Sequence, residues 1–188
     1  MTHHIPARVS MDDAMRFFKR RRPANLYGLI PHKGPIATSR GKGLPLIERI
    51  WLSYYLVDLE LRSLGKLGRA TVSVEGFSGA FAVFQMHDDM VDGPPPDSEY
   101  FPPKIARKEA VRTARQELVR AILRRRGQQD KPFIENTLAV NLLYYPYWVY
   151  YFKKAGKLSI RVQDALTAEK AGNRTRAGIL QAFANAQP

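Results

Sequence analysis

Chemistry could concentrate first in the aromatic run Tyr144-Tyr145-Pro146-Tyr147-Trp148-Val149-Tyr150-Tyr151-Phe152. In an extended chain successive side chains point to opposite faces. One face then carries Tyr145, Tyr147, Val149 and Tyr151, and the other Tyr144, Trp148, Tyr150 and Phe152. Uncovered, the second face is a ring platform for a ligand, a nucleic-acid base or another subunit; covered, it is core. Tyr144, Trp148 and Tyr150 are therefore the candidate partner-binding residues.

Two basic runs, Lys19-Arg20-Arg21-Arg22 and Arg124-Arg125-Arg126, offer a second chemistry. Each closes an expected helix, where cations complement the helix dipole. Four consecutive bases exceed that need. Arg20, Arg21, Arg22, Arg124, Arg125 and Arg126 are thus candidate polyanion-binding residues, although no known nucleic-acid reader motif accompanies them.

Other constellations fall short of a reaction. His87-Asp88-Asp89 looks like a metal pair, but a site needs three or four converging ligands, and a solvated acidic loop explains it better. Gly34 to Gly43 resembles a phosphate loop, yet its spacing is too long and Gly43 stands where a magnesium-binding Ser or Thr belongs. Ser53, Ser73 and Ser78 lack the glycine frame of a nucleophile elbow. The absence of cysteine excludes disulfides, thiolate metal sites and cysteine nucleophiles. The expectation is a non-enzymatic protein without a cofactor or metal.

The 188 residues, 45% hydrophobic and 25% charged, suit one globular domain or two small ones. With 30 Lys+Arg against 17 Asp+Glu the formal charge is +13, which favours acidic partners, polyanions or anionic surfaces. Charge is uneven. Arg16 to Lys42 holds eight bases and no acid, whereas Gln85 to Phe101 holds five acids and no Lys or Arg. The first residues show no secretory signal. The most apolar stretch, Leu138 to Phe152, is shorter than the roughly 20 residues a span requires. A soluble, cytoplasmic protein without a membrane span is expected.

The prolines at 94–96 and 102–103 mark residues 85–103 as an acidic linker, leaving units at 1–84 and 104–188. Both halves read alike. Ser10-Met11-Asp12-Asp13 is a capping signal for a helix running to Arg22, and a longer helix spans Ile105 to Arg126. In the latter Ala110, Val111, Ala114, Leu118, Ala121 and Ile122 fall within an arc of about 120°. Extended segments follow in each half, around Gly65 and Gly68 and around Gly156, each ending in an acid before a small-residue turn. Tyr55-Leu56-Val57 superposes on Tyr147-Trp148-Val149, and Glu75-Gly76-Phe77-Ser78-Gly79 on Asp164-Ala165-Leu166-Thr167-Ala168. On that match Tyr55, Val57 and Leu59 face the helix. Tyr150, opposite Asp58, should be more solvated than Trp148, opposite Leu56.

Glu109-Ala110-x-x-x-Ala114 followed by Asp164-Ala165-Leu166-Thr167-Ala168 resembles the PepSY-like domains, with Ala168 at the position of the family's Gly. The first half offers Asp13-Ala14 and Glu75-Gly76-Phe77-Ser78-Gly79, so the likeness covers roughly 9–80 and 103–172. It implies a helix-on-antiparallel-sheet unit, used elsewhere for binding, inhibition or chaperoning, usually outside the cytoplasm. The expectation is an α+β fold of two similar helix-on-antiparallel-sheet units, which can share one sheet. The expected role is binding a protein or peptide, a second copy included, with nucleic-acid binding through the basic clusters as the alternative.

Overall fold

The computed structural model describes residues 1–19, 47–96, 100–124, 131–154 and 157–185. In chain order these form β1 (Thr2–His4), α1 (Met11–Lys19), β2 (Ile47–Ser63), β3 (Lys66–Glu75), β4 (Phe81–Val83), β5 (Val91–Asp92), β6 (Tyr100–Phe101), α2 (Arg107–Arg124), β7 (Phe133–Lys154), β8 (Lys157–Asp164) and α3 (Asn173–Asn185). The class is α+β. The chain divides into two compact units: unit 1 comprises 1–6, 51–145 and 177–188, and unit 2 comprises 7–50 and 146–176.

These units are not the sequential halves expected from the proline-rich boundary. The cause is strand length: β2 has 17 residues and β7 has 22, against a usual five or six. Each therefore contributes residues to both units. The segment expected as a linker is also put to use. In unit 1, β5 pairs antiparallel with β1 through His3↔Asp92, and β6 pairs parallel with β2 through Trp51↔Tyr100.

Unit 1 is a mixed sheet ordered β4-β3-β2-β7-β1-β5, with β6 added on β2. Its β2–β3 hairpin is in register from Tyr54↔Glu75 to Ser63↔Lys66. Leu64 and Gly65, with φ of 49° and 72°, make the two-residue turn that matches strand twist. A left-handed leucine costs about 1 kcal/mol that glycine avoids. α2 lays Ala110, Ala114, Leu118 and Ile122 on Val57, Leu59, Val72 and Val74. The i, i+4 spacing makes that stripe, and small alanines at its start let helix and sheet approach closely. On the other face of β2, Asp58 is buried but satisfied, accepting from Arg69 Nη2 and Thr71 Oγ1, both at 2.5 Å.

Unit 2 pairs β7 with β8 from Tyr147↔Asp164 to Lys154↔Lys157. α1 is nucleated by Ser10, whose Oγ accepts from Asp13 N at 3.1 Å and donates to Asp13 Oδ2 at 2.7 Å. The helix buries Ala14 and Phe18 against Trp148, Tyr150, Ala165 and Ile47. Along the outer edge of β8, Arg176 donates from Nε to Ile160 O (3.1 Å) and from Nη2 to Ser159 Oγ (3.0 Å).

Each helix thus packs on a hairpin from the other half of the chain, whereas the sequence reading placed each on its own. The two acidic turns share one geometry. Glu75 accepts from Phe77 N (2.9 Å), Ser78 N (2.6 Å) and Ser78 Oγ; Asp164 Oδ1 accepts from Leu166 N (2.8 Å) and Thr167 N (2.9 Å). Gly79 and Ala168 close these turns at φ of 70° and 62°. Both acids hold a loop together.

Candidate functional site

A groove lies in unit 1, between the second half of α2 and the start of β7. Its volume is about 690 Å³. Its walls are Val119, Ile122 and Leu123 from the helix and Pro132, Phe133 and Ile134 from the strand, with Arg115, Arg120 and Lys131 at its margins. Ile122 belongs to the core stripe, but Val119, Leu123 and Phe133 are 40%, 58% and 57% exposed. Together these three side chains leave apolar surface open beside the core stripe.

The cations are positioned rather than loose. Arg115 donates to Thr137 Oγ1 (3.3 Å) and to Ile134 O (3.4 Å), tying helix to strand. Lys131 Nζ donates to Leu123 O at 3.3 Å, satisfying a carbonyl of the last helical turn. Arg120 pairs with Glu117 one turn earlier. Among the described residues Arg115 and Lys131 therefore bond neutral oxygens and keep their charge available. Anionic groups on an apolar chain fit this arrangement: hydrophobic contact on the floor, charge-assisted hydrogen bonds at the rim.

The aromatic residues singled out from the sequence lie elsewhere and are covered. Tyr144, Trp148 and Tyr150 are 4%, 5% and 6% exposed, so the open platform is corrected to core. In unit 2, α1 does the covering: Phe18 stacks on Tyr150 at 5.3 Å, and Trp148 Nε1 donates to Val9 O at 2.9 Å. The Arg49 guanidinium stands 5.7 Å from the Trp148 ring centroid. Tyr150 is no more solvated than Trp148. In unit 1, Tyr144 meets Tyr100 edge to face at 5.2 Å. Burial, with Tyr100 and Tyr55 adding to it, raises the Tyr144 pKa above the usual tyrosine value. Tyr55 is likewise raised by burial, against an opposing pull from Arg107.

Of the basic candidates, Arg124 is exposed at the end of α2, while Arg20, Arg21, Arg22, Arg125 and Arg126 lie outside the described residues, as does the Gly34–Gly43 stretch. His87 and Asp88 are exposed, and the His87 ring rests edge-on against Phe84 at 5.1 Å. Among the described residues no three His, Asp or Glu side chains converge as a metal site would require. None of the described helices is long and apolar enough to cross a membrane.

In the sequence the buried stripe of α2 is the dominant signal and the groove a weaker one. Val119 and Leu123 repeat at i, i+4 beside that stripe, on a face otherwise carrying Arg112 and Gln116. That second apolar column was the available signal. The chain matches no protein-family model, no curated protein and no solved structure.

Proposed function

We propose that this chain is a non-catalytic binding module for a protein or peptide partner, engaged at the groove between α2 and β7 in unit 1. The observation that carries this is the combination of exposed Val119, Leu123 and Phe133 with Arg115 and Lys131, cations bonded to neutral oxygens among the described residues. Charge complementarity selects the occupant: a peptide segment whose apolar side chains alternate with carboxylates. The +13 charge of the chain attracts such a partner from a distance. The shared bonding of the Glu75 and Asp164 turns supports reading the chain as two degenerate PepSY-like copies, a kind of unit used for binding elsewhere.

Three short synthetic peptides test the reading on the full chain: one alternating Leu and Glu, one alternating Leu and Lys, one alternating Ser and Glu. The Leu/Glu peptide is expected to bind, and Leu123→Asp or Phe133→Asp to weaken it tenfold or more, about 1.4 kcal/mol. Equal binding of the Ser/Glu peptide, with steep loss at physiological salt, would replace the groove with plain polyanion binding. Indifference of the Leu/Glu peptide to both substitutions would remove the groove as the site.

A further inference from the structure

β7 runs for 22 residues, and near its start one side of it carries no described strand. In unit 1 the strand order places β2 on one side of β7 and β1 on the other. β1 reaches only from Thr2↔Leu142 to His4↔Tyr144. Among the described residues no strand pairs with 134–140 on the β1 side. Main-chain groups left along such a margin are a template for another extended chain.

The bonds next to this stretch fix the direction of those groups. Leu142 N donates to Met1 O (2.9 Å), and Tyr144 O accepts from Ile5 N (3.1 Å), so the even-numbered residues face the β1 side. Alternation carries Ile134, Asn136, Leu138 and Val140 to the same margin. Two arginines of α2 mark its ends. Arg107 Nη2 donates to Val140 O at 3.0 Å, and Arg115 Nη2 donates to Ile134 O at 3.4 Å. These carbonyls are ones that a neighbouring strand would take. Between them Asn136 and Leu138 are exposed, and among the described residues no main-chain group outside the sheet ladder bonds to either. Two single bonds at the ends leave the middle of the margin open.

We propose that the peptide partner binds here as an added strand, pairing with residues 134–140 of β7 while its apolar side chains enter the groove. The inference rests on the reading of that groove as the partner site, since Ile134 belongs to both. The span is roughly 20 Å at the rise of a strand, so the occupant is an extended segment of about six residues. Charge complementarity gives its chemistry. N–H groups of the incoming strand replace the two guanidiniums at Ile134 O and Val140 O. Arg107 and Arg115 are thereby released to carboxylates on the same segment, which are stronger acceptors than the carbonyls they leave. The main-chain ladder supplies affinity, and the apolar and acidic side chains supply choice. A helical occupant cannot make this exchange, because its N–H groups are bonded internally.

Amide exchange of the full chain, read residue by residue by NMR with and without the alternating Leu/Glu peptide, tests this. Exchange at Asn136 N and Leu138 N is expected to slow at least tenfold at saturation. Binding that Leu123→Asp still weakens, with both amides unchanged, overturns strand addition and leaves the groove reading standing. No binding of this peptide overturns both. A peptide of the same composition with its leucines three and four residues apart, suited to a helix, is expected to bind at least tenfold more weakly. Equal binding overturns the extended occupant. Leu138→Pro removes one N–H from the margin, where proline is tolerated, and is expected to weaken the Leu/Glu peptide tenfold or more, with Leu138→Ala close to wild type. Unchanged binding by a folded Leu138→Pro overturns the proposal; should that variant fail to fold, the exchange measurement on the wild-type chain decides.

Discussion

The two helix-on-hairpin assemblies solve one problem with different materials. α2 has 18 residues and spreads its contact over four small or aliphatic side chains against four aliphatic ones. α1 has nine and depends on Phe18, Trp148 and Tyr150. Long helices afford many modest contacts, and losing one leaves the rest. A short helix has room for few, so each ring matters more, and ring geometry replaces length as the source of order.

The sharpest way to break this comparison is truncation at the centre of each core. Trp148→Ala removes a ring and the donor to Val9 O and is expected to cost about 3–5 kcal/mol. Hydrogen exchange should then quicken in α1 and β8 and stay slow in α2. Leu118→Ala, at about 2–5 kcal/mol, should reverse the pattern. Identical patterns from the two variants would show that the helices are not independently secured.

A smaller effect separates the residues after the turn acids. A Cβ on Gly76 would lie 2.5 Å from Ser53 Oγ and 2.8 Å from Pro103 Cβ. Gly76→Ala is therefore expected to cost about 1–3 kcal/mol in a denaturant titration. Its counterpart Ala165 already carries a Cβ. A neutral Gly76→Ala would mean that the two turns are equally roomy at this position.

The left-handed positions differ by less. Ala168→Gly should relieve about 1 kcal/mol of backbone strain, offset in part by the greater freedom of glycine in the unfolded chain. Gly79→Ala should lose a comparable amount, so thermal shifts of opposite sign are expected. Same-sign shifts would deny that the turns are equivalent.

The weakest effect is in pH. Tyr55 and Tyr144 have raised pKa values, so the folded state holds their protons more tightly than the unfolded chain. Their contribution is complete below pH 10, the unperturbed value, and is lost as pH rises through the folded values. Denaturant midpoints should fall on the alkaline side of pH 10, with less fall in Tyr144→Phe. A midpoint flat through that range would contradict the burial of both hydroxyls.

Much of the α+β architecture was legible locally. Ser10 capped its helix, the 110/114/118/122 stripe met a sheet and both acids sat at turns, while of the two glycines expected in the first hairpin turn Gly65 lies in it and Gly68 lies in β3. What could not be read was non-local. Nothing in a helix says which of two similar hairpins it will meet, and here each crossed to the other half. The aromatic face was misassigned for a different reason. Matching Tyr55 to Tyr147 differs by one residue from the pairing of both Tyr54 and Tyr147 with turn acids. A slip of one residue turns every side chain to the opposite face. Counted from the acid-paired tyrosines, Tyr55, Val57 and Leu59 in one hairpin and Trp148, Tyr150 and Phe152 in the other stand at the same steps along their strands, and each set packs in a cluster with a helix. The groove escaped because it arises where the end of α2 meets the first residues of β7, a meeting that no short window of sequence contains.

Arg176 has a consequence for life at high concentration. A strand with open carbonyls along its margin is a template on which another chain can crystallise into fibres. On β8 the guanidinium already occupies Ile160 O and braces Ser159 Oγ, while Ala171 N takes Val162 O. A visiting strand would find its acceptors taken and a fixed positive charge in its path. One side chain thus does for this stretch of β8 what a further strand would do, satisfying the edge while leaving a charge where a neighbour would have to lie.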